Sequence, residues 1–371
     1  MDEQVTSSDK NDPPSSRAAD GSELPDDHNN ERSAMTPRIT AVILAAGFGK
    51  RMHSSLPKVL HRLCGAPLLE YSIRAAEAVT TEKPVVIVGH GADSVRATFG
   101  ERVDYAFQAE QLGTAHALMQ AESLLRDKTD QVLLIYGDMP LLTGETLQRV
   151  IDLQRNNAGP VSLLSVILPD PHGFGRILRG TDGSVEAIIE EAQTTPETYN
   201  IKELNTGIYC FDSEWLWDAL RKIEKSPKGE YYLTDIVEVA RKEGKNVRAE
   251  AVTDAQEALG INNREHLAES AQVMQQRINR RWLQSGVTMV SPQTTTIDLD
   301  VEIEPDTILY PGCSLLGRTR VRSGCILGPN VFLQDCLIDK NVQASNIEAY
   351  RCKVSEGKQL SAFTVYVGQE L

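Results

Sequence analysis

The chain has 371 residues, enough for more than one domain, and 38 Lys+Arg against 52 Asp+Glu give it a formal net charge of −14. That balance argues against nucleic acid or an anionic membrane as the main partner, because both select a basic face. No apolar run reaches bilayer-spanning length and the polar N-terminus has no signal core. None of the six cysteines forms a CxxC pair, so a cytoplasmic protein without a zinc ribbon is expected.

Residues 1–36 are rich in Ser, Asp, Glu, Asn and Pro and nearly devoid of large apolar side chains, so a disordered tail is expected there. Organisation begins at Ile39, where ITAVILAA is a β-branched apolar run of the kind that forms a buried parallel strand. A Gly-rich loop follows, then an amphipathic helix over about 68–79. VVIVGH (85–90), VLLIYGD (132–138), VSLLSVIL (161–168) and NTGIYCF (205–211) read as further strands. Helices are expected at about 114–126, 144–155, 213–224 and 233–243. Strands alternating with helices indicate an α/β, Rossmann-like domain with a mostly parallel sheet, spanning 37–263. Residues 263–284 contain no Gly or Pro and read as one helix ending before Gly286, a plain connector assigned to 264–285.

From 286 to 371 the period changes. Ile303, Leu309, Leu315, Val321, Leu327 and Leu333 recur every six residues, and Val301, Thr307, Cys313, Thr319, Cys325 and Val331 form a second column two residues earlier. One aliphatic and one small or β-branched position per hexad is the pattern of a left-handed parallel β-helix, three hexads to a coil. Cys313 and Cys325 are then stacked apolar side chains rather than metal ligands. The period slips after Asp335.

The chemistry is concentrated in the first loop, LAAGFGKRMHSSLPK (44–58). Gly47 and Gly49 let backbone N–H groups approach a phosphate, and Arg51 and Lys58 add two cations. The spacing fits neither a Walker A loop nor a dinucleotide fingerprint. Asp138 closes a buried strand at the carboxyl end, where α/β sheets bind ligands, and a hard carboxylate there suits Mg²⁺.

LxxGxGxRMxxxxPK is similar to the nucleotide-binding signature of sugar-1-phosphate nucleotidyltransferases. QAEQLGTAHA (108–117), YGDMPLL (136–142), GFGRI (173–177), ELNTGIY (203–209), GEYYLTD (229–235) and GINNR (260–264) follow in that family's order. With the hexad tail, the chain resembles the bacterial bifunctional N-acetylglucosamine-1-phosphate uridyltransferase / glucosamine-1-phosphate acetyltransferase family over about residues 39–371.

The resemblance implies a Mg²⁺-dependent transfer of a uridylyl group from UTP to N-acetylglucosamine-1-phosphate. It places Arg51 and Lys58 in catalysis, Leu44, Ala45, Ala46, Gly47 and Lys58 on the nucleotide, and Gln108, Gly113 and Thr114 at the uracil. Tyr136 and Gly137 flank the nucleotide, Gly175, Glu190 and Asn205 hold the sugar, and Asp138 with Asn262 bind the metal. It also implies a homotrimer built through the β-helix.

Two departures stand out. Glu190 is followed by Glu191, Ala192 and Gln193 where the family has Glu-x-Lys-Asp-Ala, and the sequence stops before the later coils that carry the family's acetyltransferase site, 365–369 reading VYVGQ where it has Arg-x-Arg-Pro-Gly. The acetyltransferase half is accordingly expected to be absent. Transfer with another nucleotide or hexose-1-phosphate, or a non-catalytic binding subunit of the same fold, remain alternatives.

Overall fold

Six strands and one reversal place the site. In a computed structural model, which describes residues 37–171 and 173–371 and so leaves the expected tail outside its scope, the main sheet runs in a fixed spatial order. From one edge it is Val247–Ala251, Val161–Ile167, Glu203–Asp212, Gln131–Tyr136, Ile39–Leu44, Val85–Val88 and Asp104–Phe107. Neighbours are parallel except Glu203–Asp212, which is antiparallel to both strands it touches. A hairpin, Arg176–Arg179 with Val185–Ile189, attaches beside it. The central strands are apolar on both faces: every residue of Ile39–Leu44 is buried, as is every residue of Val85–Val88. Helices such as Leu68–Glu77 and Gly144–Arg155 cover them. Leu44, Val88, Phe107 and Tyr136 all end at one edge of the sheet.

Several expected helices are shorter or divided. The stretch expected over 114–126 is two helices, Thr114–Met119 and Glu122–Leu125. The one expected over 213–224 ends at Leu220, and that over 233–243 opens as a 3₁₀ turn before Ile236–Lys242. Strands Asp104–Phe107, Arg176–Arg179, Val185–Ile189 and Val247–Ala251 and helix Ala92–Phe99 were not anticipated. They are short, and several lie at edges, where half-exposed residues dilute the apolar period.

The C-terminal coils form three parallel sheets, the sides of a triangular prism. Both hexad columns point inward; all twelve residues are buried. After Asp335 the coils tighten. Ile338, not residue 339, pairs with Val321, and Ala349, not residue 351, pairs with Leu333. Asp335 and Asn346 turn these corners at φ 55° and 53°, a conformation that short polar side chains tolerate.

Helix Arg264–Gln284 does more than connect. Met274 and Ile278 are buried in a cluster with Leu63, Ala66, Val287, Met289 and Ile297. Asn279 Nδ2 donates to the carbonyls of Pro292 (2.8 Å) and Thr295 (3.1 Å). A β-helix leaves its inward aliphatic column open at the end, and this helix closes it. Met52 and Ile261, which flank the candidate site, belong to the same apolar cluster. Among the described residues no helix is long and apolar enough to cross a membrane.

Candidate active site

The loop after strand Ile39–Leu44 is tied to its neighbours before it turns. Ala45 N donates to Ile87 O (2.9 Å), and Gly137 N donates to Leu44 O (3.0 Å). Ala45 and Ala46 are buried. The two loop glycines then differ. A Cβ on Gly47 would meet nothing within 4 Å, whereas one on Gly49, at φ +60°, would lie 2.7 Å from Lys58 Cβ. Gly49 thus lets the Lys58 stem pass, while Gly47 leaves an open backbone surface. Lys58 Nζ forms an ion pair with Asp138 Oδ2, both side chains about 15% exposed. Arg51 Nη2 donates to Asn262 Oδ1 at 2.9 Å, and Ile261 N donates to Asp138 O at 2.9 Å. Four residues distant in the chain are thereby gathered as two cation–oxygen pairs.

The segment 260–264 is anchored residue by residue. Asn263 caps the long helix by accepting from His266 N (2.8 Å). Arg264 Nε donates to Met52 O (3.2 Å), and its Nη1 lies 3.2 Å from His61 Nδ1. Burial, and then the charge of Arg264, hold His61 below its ordinary value, in keeping with a neutral ring.

The residues expected at the sugar lie beside a bulge. The pairing register of Glu203–Asp212 shifts between Asn205 and Tyr209, and Gly207 sits in the bulge at φ +80°. A Cβ on Gly207 would lie 2.5 Å from the Tyr136 ring, so the glycine allows that ring against the backbone. Asn205 Oδ1 accepts from Gly207 N and Tyr209 Oη, each at 3.0 Å, and Asn205 N donates to Gly175 O at 2.8 Å. Glu190 Oε1 accepts from Thr234 Oγ1 at 2.8 Å. Burial, then the charges of Asp138 and Glu190, raise Tyr136 well above its ordinary range, so its hydroxyl stays a neutral donor. Asp235 is pushed up to about 6 by burial and then by Glu238 and Glu190.

Gln108, Gly113 and Thr114 do come together, but much of their bonding is internal. Gln108 is buried and its Nε2 donates to Gly113 O at 3.2 Å. Thr114 Oγ1 accepts from Leu233 N at 3.2 Å, and a Cβ on Gly113 would collide with Tyr231 O at 2.5 Å. These residues lace the 108–117 loop to the 229–235 loop. Gln111, which the sequence did not single out, stands closer to the nucleotide loop. A Cβ on Gly89 would meet Gln111 Nε2 at 2.7 Å and Ala46 Cβ at 3.0 Å. Its place in the same 108–117 motif was the available signal. At the departure after Glu190, Glu191 accepts from Gly173 N (3.0 Å) and lies 3.8 Å from buried Arg176, bracing the 173–176 turn.

The mostly parallel α/β sheet carries a cation-lined glycine loop at its carboxyl edge, and residues 40–264 match the family described as Nucleotidyl transferase. Among curated relatives, "Bifunctional protein GlmU" of Halalkalibacterium halodurans is 41% identical over 325 residues, covering 87% of this chain and 71% of that protein. Its namesake in Acetivibrio thermocellus is 41% identical over 326 residues (88% and 71%), and that of Bacillus velezensis 40% over 324 residues (87% and 71%). The chain belongs to the GlmU family. It is a sugar-1-phosphate nucleotidyltransferase, of a family that generally uses a divalent metal.

The donor set suits such an ion. Asp138 supplies a carboxylate oxygen and Asn262 a carboxamide oxygen, both hard ligands. No group of three or more His, Cys, Asp or Glu able to hold a metal exists among the described residues. A divalent ion held by two such oxygens would take its other ligands from phosphate oxygens and water.

Proposed function

We propose that this chain joins N-acetylglucosamine-1-phosphate to the uridylyl group of UTP, releasing pyrophosphate and forming UDP-N-acetylglucosamine. The observation that carries the reading is the pair of contacts Lys58–Asp138 and Arg51–Asn262, which sets two cations and two oxygen ligands around one strand end. A phosphate oxygen of the sugar phosphate attacks the α-phosphorus of UTP, the bond to the β-phosphate oxygen breaks, and pyrophosphate leaves. The attacking phosphate is already an anion, so no general base is required. Catalysis is then positioning and charge stabilisation.

In this reading Arg51 and Lys58 neutralise the triphosphate, and backbone N–H groups around Gly47 approach it. Tyr136 and Gly137 flank the nucleotide. Gln108 and Gly113, with Gln111 beside them, shape the base pocket, while Asn205, Glu190 and the Gly175 backbone hold the sugar. Mg²⁺, held by Asp138 and Asn262, would offset the charge that builds on the phosphates. A trimer through the coils is supported by the flat outward sheet face that carries Phe332, Tyr350, Val365 and Val367.

A panel of nucleoside triphosphates against sugar-1-phosphates with Mg²⁺, read by pyrophosphate release, tests the substrate assignment. Fastest release with UTP and N-acetylglucosamine-1-phosphate is expected. Preference for another pair would reassign the substrates, and no release with any pair would remove the reading. Light scattering tests the trimer.

A further inference from the structure

A second polar cavity lies away from the nucleotide loop, where three parts of the fold meet. It has a volume of about 610 Å³ and is walled by Arg74 of helix Leu68–Glu77, by Arg281 and Trp282 of the long helix, and by Arg318 and Arg320 of the coils, with the carboxylates of Asp300 and Glu302 in the same wall. That volume is within the range of small-molecule sites. Two of the arginines are neutralised: Arg74 pairs with Asp300 at 2.7 Å, and Arg320 with Glu302 at 3.3 Å. Arg281 and Arg318, both exposed, form no ion pair among the described residues; Arg281 lies against the Trp282 ring at 4.7 Å, with Asp300 near enough to act on its charge. Trp282 Nε1 is itself buried without an acceptor.

The same wall therefore carries two unpaired guanidinium groups and an unpaired indole donor. A buried N–H without an acceptor is costly, and like cations gathered at one cavity repel. In a chain of net charge −14, a local surplus of positive charge is also against the general trend. Loss of hydration, and then the charge of Arg74, lower the proton affinity of Arg281, and the Asp300 carboxylate offsets them only in part.

One ligand class can engage all three groups: a compact dianion or polyanion rich in oxygen acceptors. Guanidinium groups bind phosphate oxygens in pairs, and an indole N–H donates to a third. We propose that this cavity is a binding site for a phosphate-bearing anion of about pyrophosphate size, separate from the nucleotide loop. Arg281 and Arg318 bind it, Trp282 Nε1 donates to it, and Arg74 and Arg320 contribute field while keeping their carboxylate partners. Because the walls come from three parts of the fold, the bound anion clamps the long helix to both neighbours.

Trp282 makes the site observable. Tryptophan fluorescence and thermal melting of the full chain are followed during titration with inorganic pyrophosphate, with orthophosphate and UTP as separate arms. A saturable fluorescence change and a raised Tm are expected. Lys58→Ala, which weakens any pyrophosphate contact at the nucleotide loop, should keep the change; Trp282→Phe should abolish it. The double variant R281A/R318A, at two exposed positions, should weaken binding by about tenfold or more. Pyrophosphate is expected to bind more tightly than orthophosphate, and orthophosphate binding as tightly would overturn the assigned size.

No response to any arm in the wild type would overturn the proposal. So would a response that survives in R281A/R318A or in Trp282→Phe, or one that Lys58→Ala abolishes. If R281A/R318A changes the oligomeric mass and leaves the response intact, the cluster is a subunit contact and the proposal is wrong.

Discussion

Gly47 and Gly49, two residues apart in one loop, should behave oppositely on substitution by alanine. At Gly49 the φ of +60° penalises any side chain, by about 1–2 kcal/mol in a left-handed conformation. The added Cβ would also stand 2.7 Å from Lys58 Cβ, against an ordinary carbon contact of about 3.5–4.0 Å. Relief requires a shift of roughly 1 Å in the Lys58 stem, whose ammonium is paired with Asp138 in a mostly buried site. Misplacement on that scale in a positioned active site costs about hundredfold in turnover. Gly49→Ala should therefore lower both kcat and thermal stability, the latter by about 1–3 °C for a cost of about 1–2 kcal/mol in a chain of this length.

At Gly47 no atom obstructs a Cβ and no positive φ is imposed. Gly47→Ala should leave the melting curve unchanged and act only through the nucleotide, by raising KM about tenfold where the Cβ meets its phosphates. Steady-state pyrophosphate release and differential scanning calorimetry on both variants measure the four quantities. The reasoning fails if Gly49→Ala keeps kcat within about threefold of wild type. It fails equally if Gly47→Ala loses as much stability as Gly49→Ala.

Removing either partner of the central ion pair should be more severe: Lys58→Ala and Asp138→Ala are expected to lower kcat by about 10²–10³ with far-ultraviolet circular dichroism unchanged, and near-normal turnover in either would contradict the assignment. Asp235 should make stability fall as pH rises. Its folded value of about 6 exceeds the 3.8 of an ordinary aspartate, so the folded chain holds this proton more tightly and gains from it below pH 4. That gain is lost between about pH 4 and 6, and Asp235→Asn should flatten this part of the Tm–pH profile; an unchanged slope would show that Asp235 is not the group responsible. The cysteines should resist thiol reagents while the chain is folded, since burial pushes Cys64 and Cys210 up to about 12 and Cys313 up to about 11. Ellman's reagent at pH 8 should label all six only after denaturation, and prompt labelling of Cys210 or Cys313 in the native state would refute their burial. Asn263→Ala should destabilise by about 1 kcal/mol in urea titration through the lost helix cap, and an unchanged midpoint would argue against that cap.

Much of this protein could be read from local pattern. A buried strand announces itself as a continuous apolar run, as at 39–44, because both its faces are covered. The hexad columns announce the β-helix because each coil repeats the same inward demand on side-chain size, and their Cys and Thr members are buried as that demand requires. The loop from Leu44 to Lys58 stood out by its glycine and cation spacing, and the structure places Lys58 against Asp138 and Arg51 against Asn262. Sequence pattern reports what a residue's own neighbourhood demands of it, and little else.

Which distant groups meet was decided in three dimensions. Lys58 faces Asp138, and Arg51 faces Asn262 across 211 residues of chain, because strand register and the Asp138–Ile261 backbone bond bring those segments together. No periodicity encodes that register. The bulge at Asn205–Tyr209, which turns Asn205 toward Gly175 and Tyr209, depends on a partner strand whose pairing shifts. The short edge strands escaped detection because half of each is solvated, and hydrophobic patterning needs burial on a whole face. The long helix looked like a connector because its apolar residues are few. Only its packing shows Met274 and Ile278 sealing the first coil while Asn263, at its other end, sits beside Asn262. Local chemistry selects elements through nearest-neighbour energetics, whereas the site and the arginine-lined cavity arise from contacts between elements, which exist only once the chain has closed on itself.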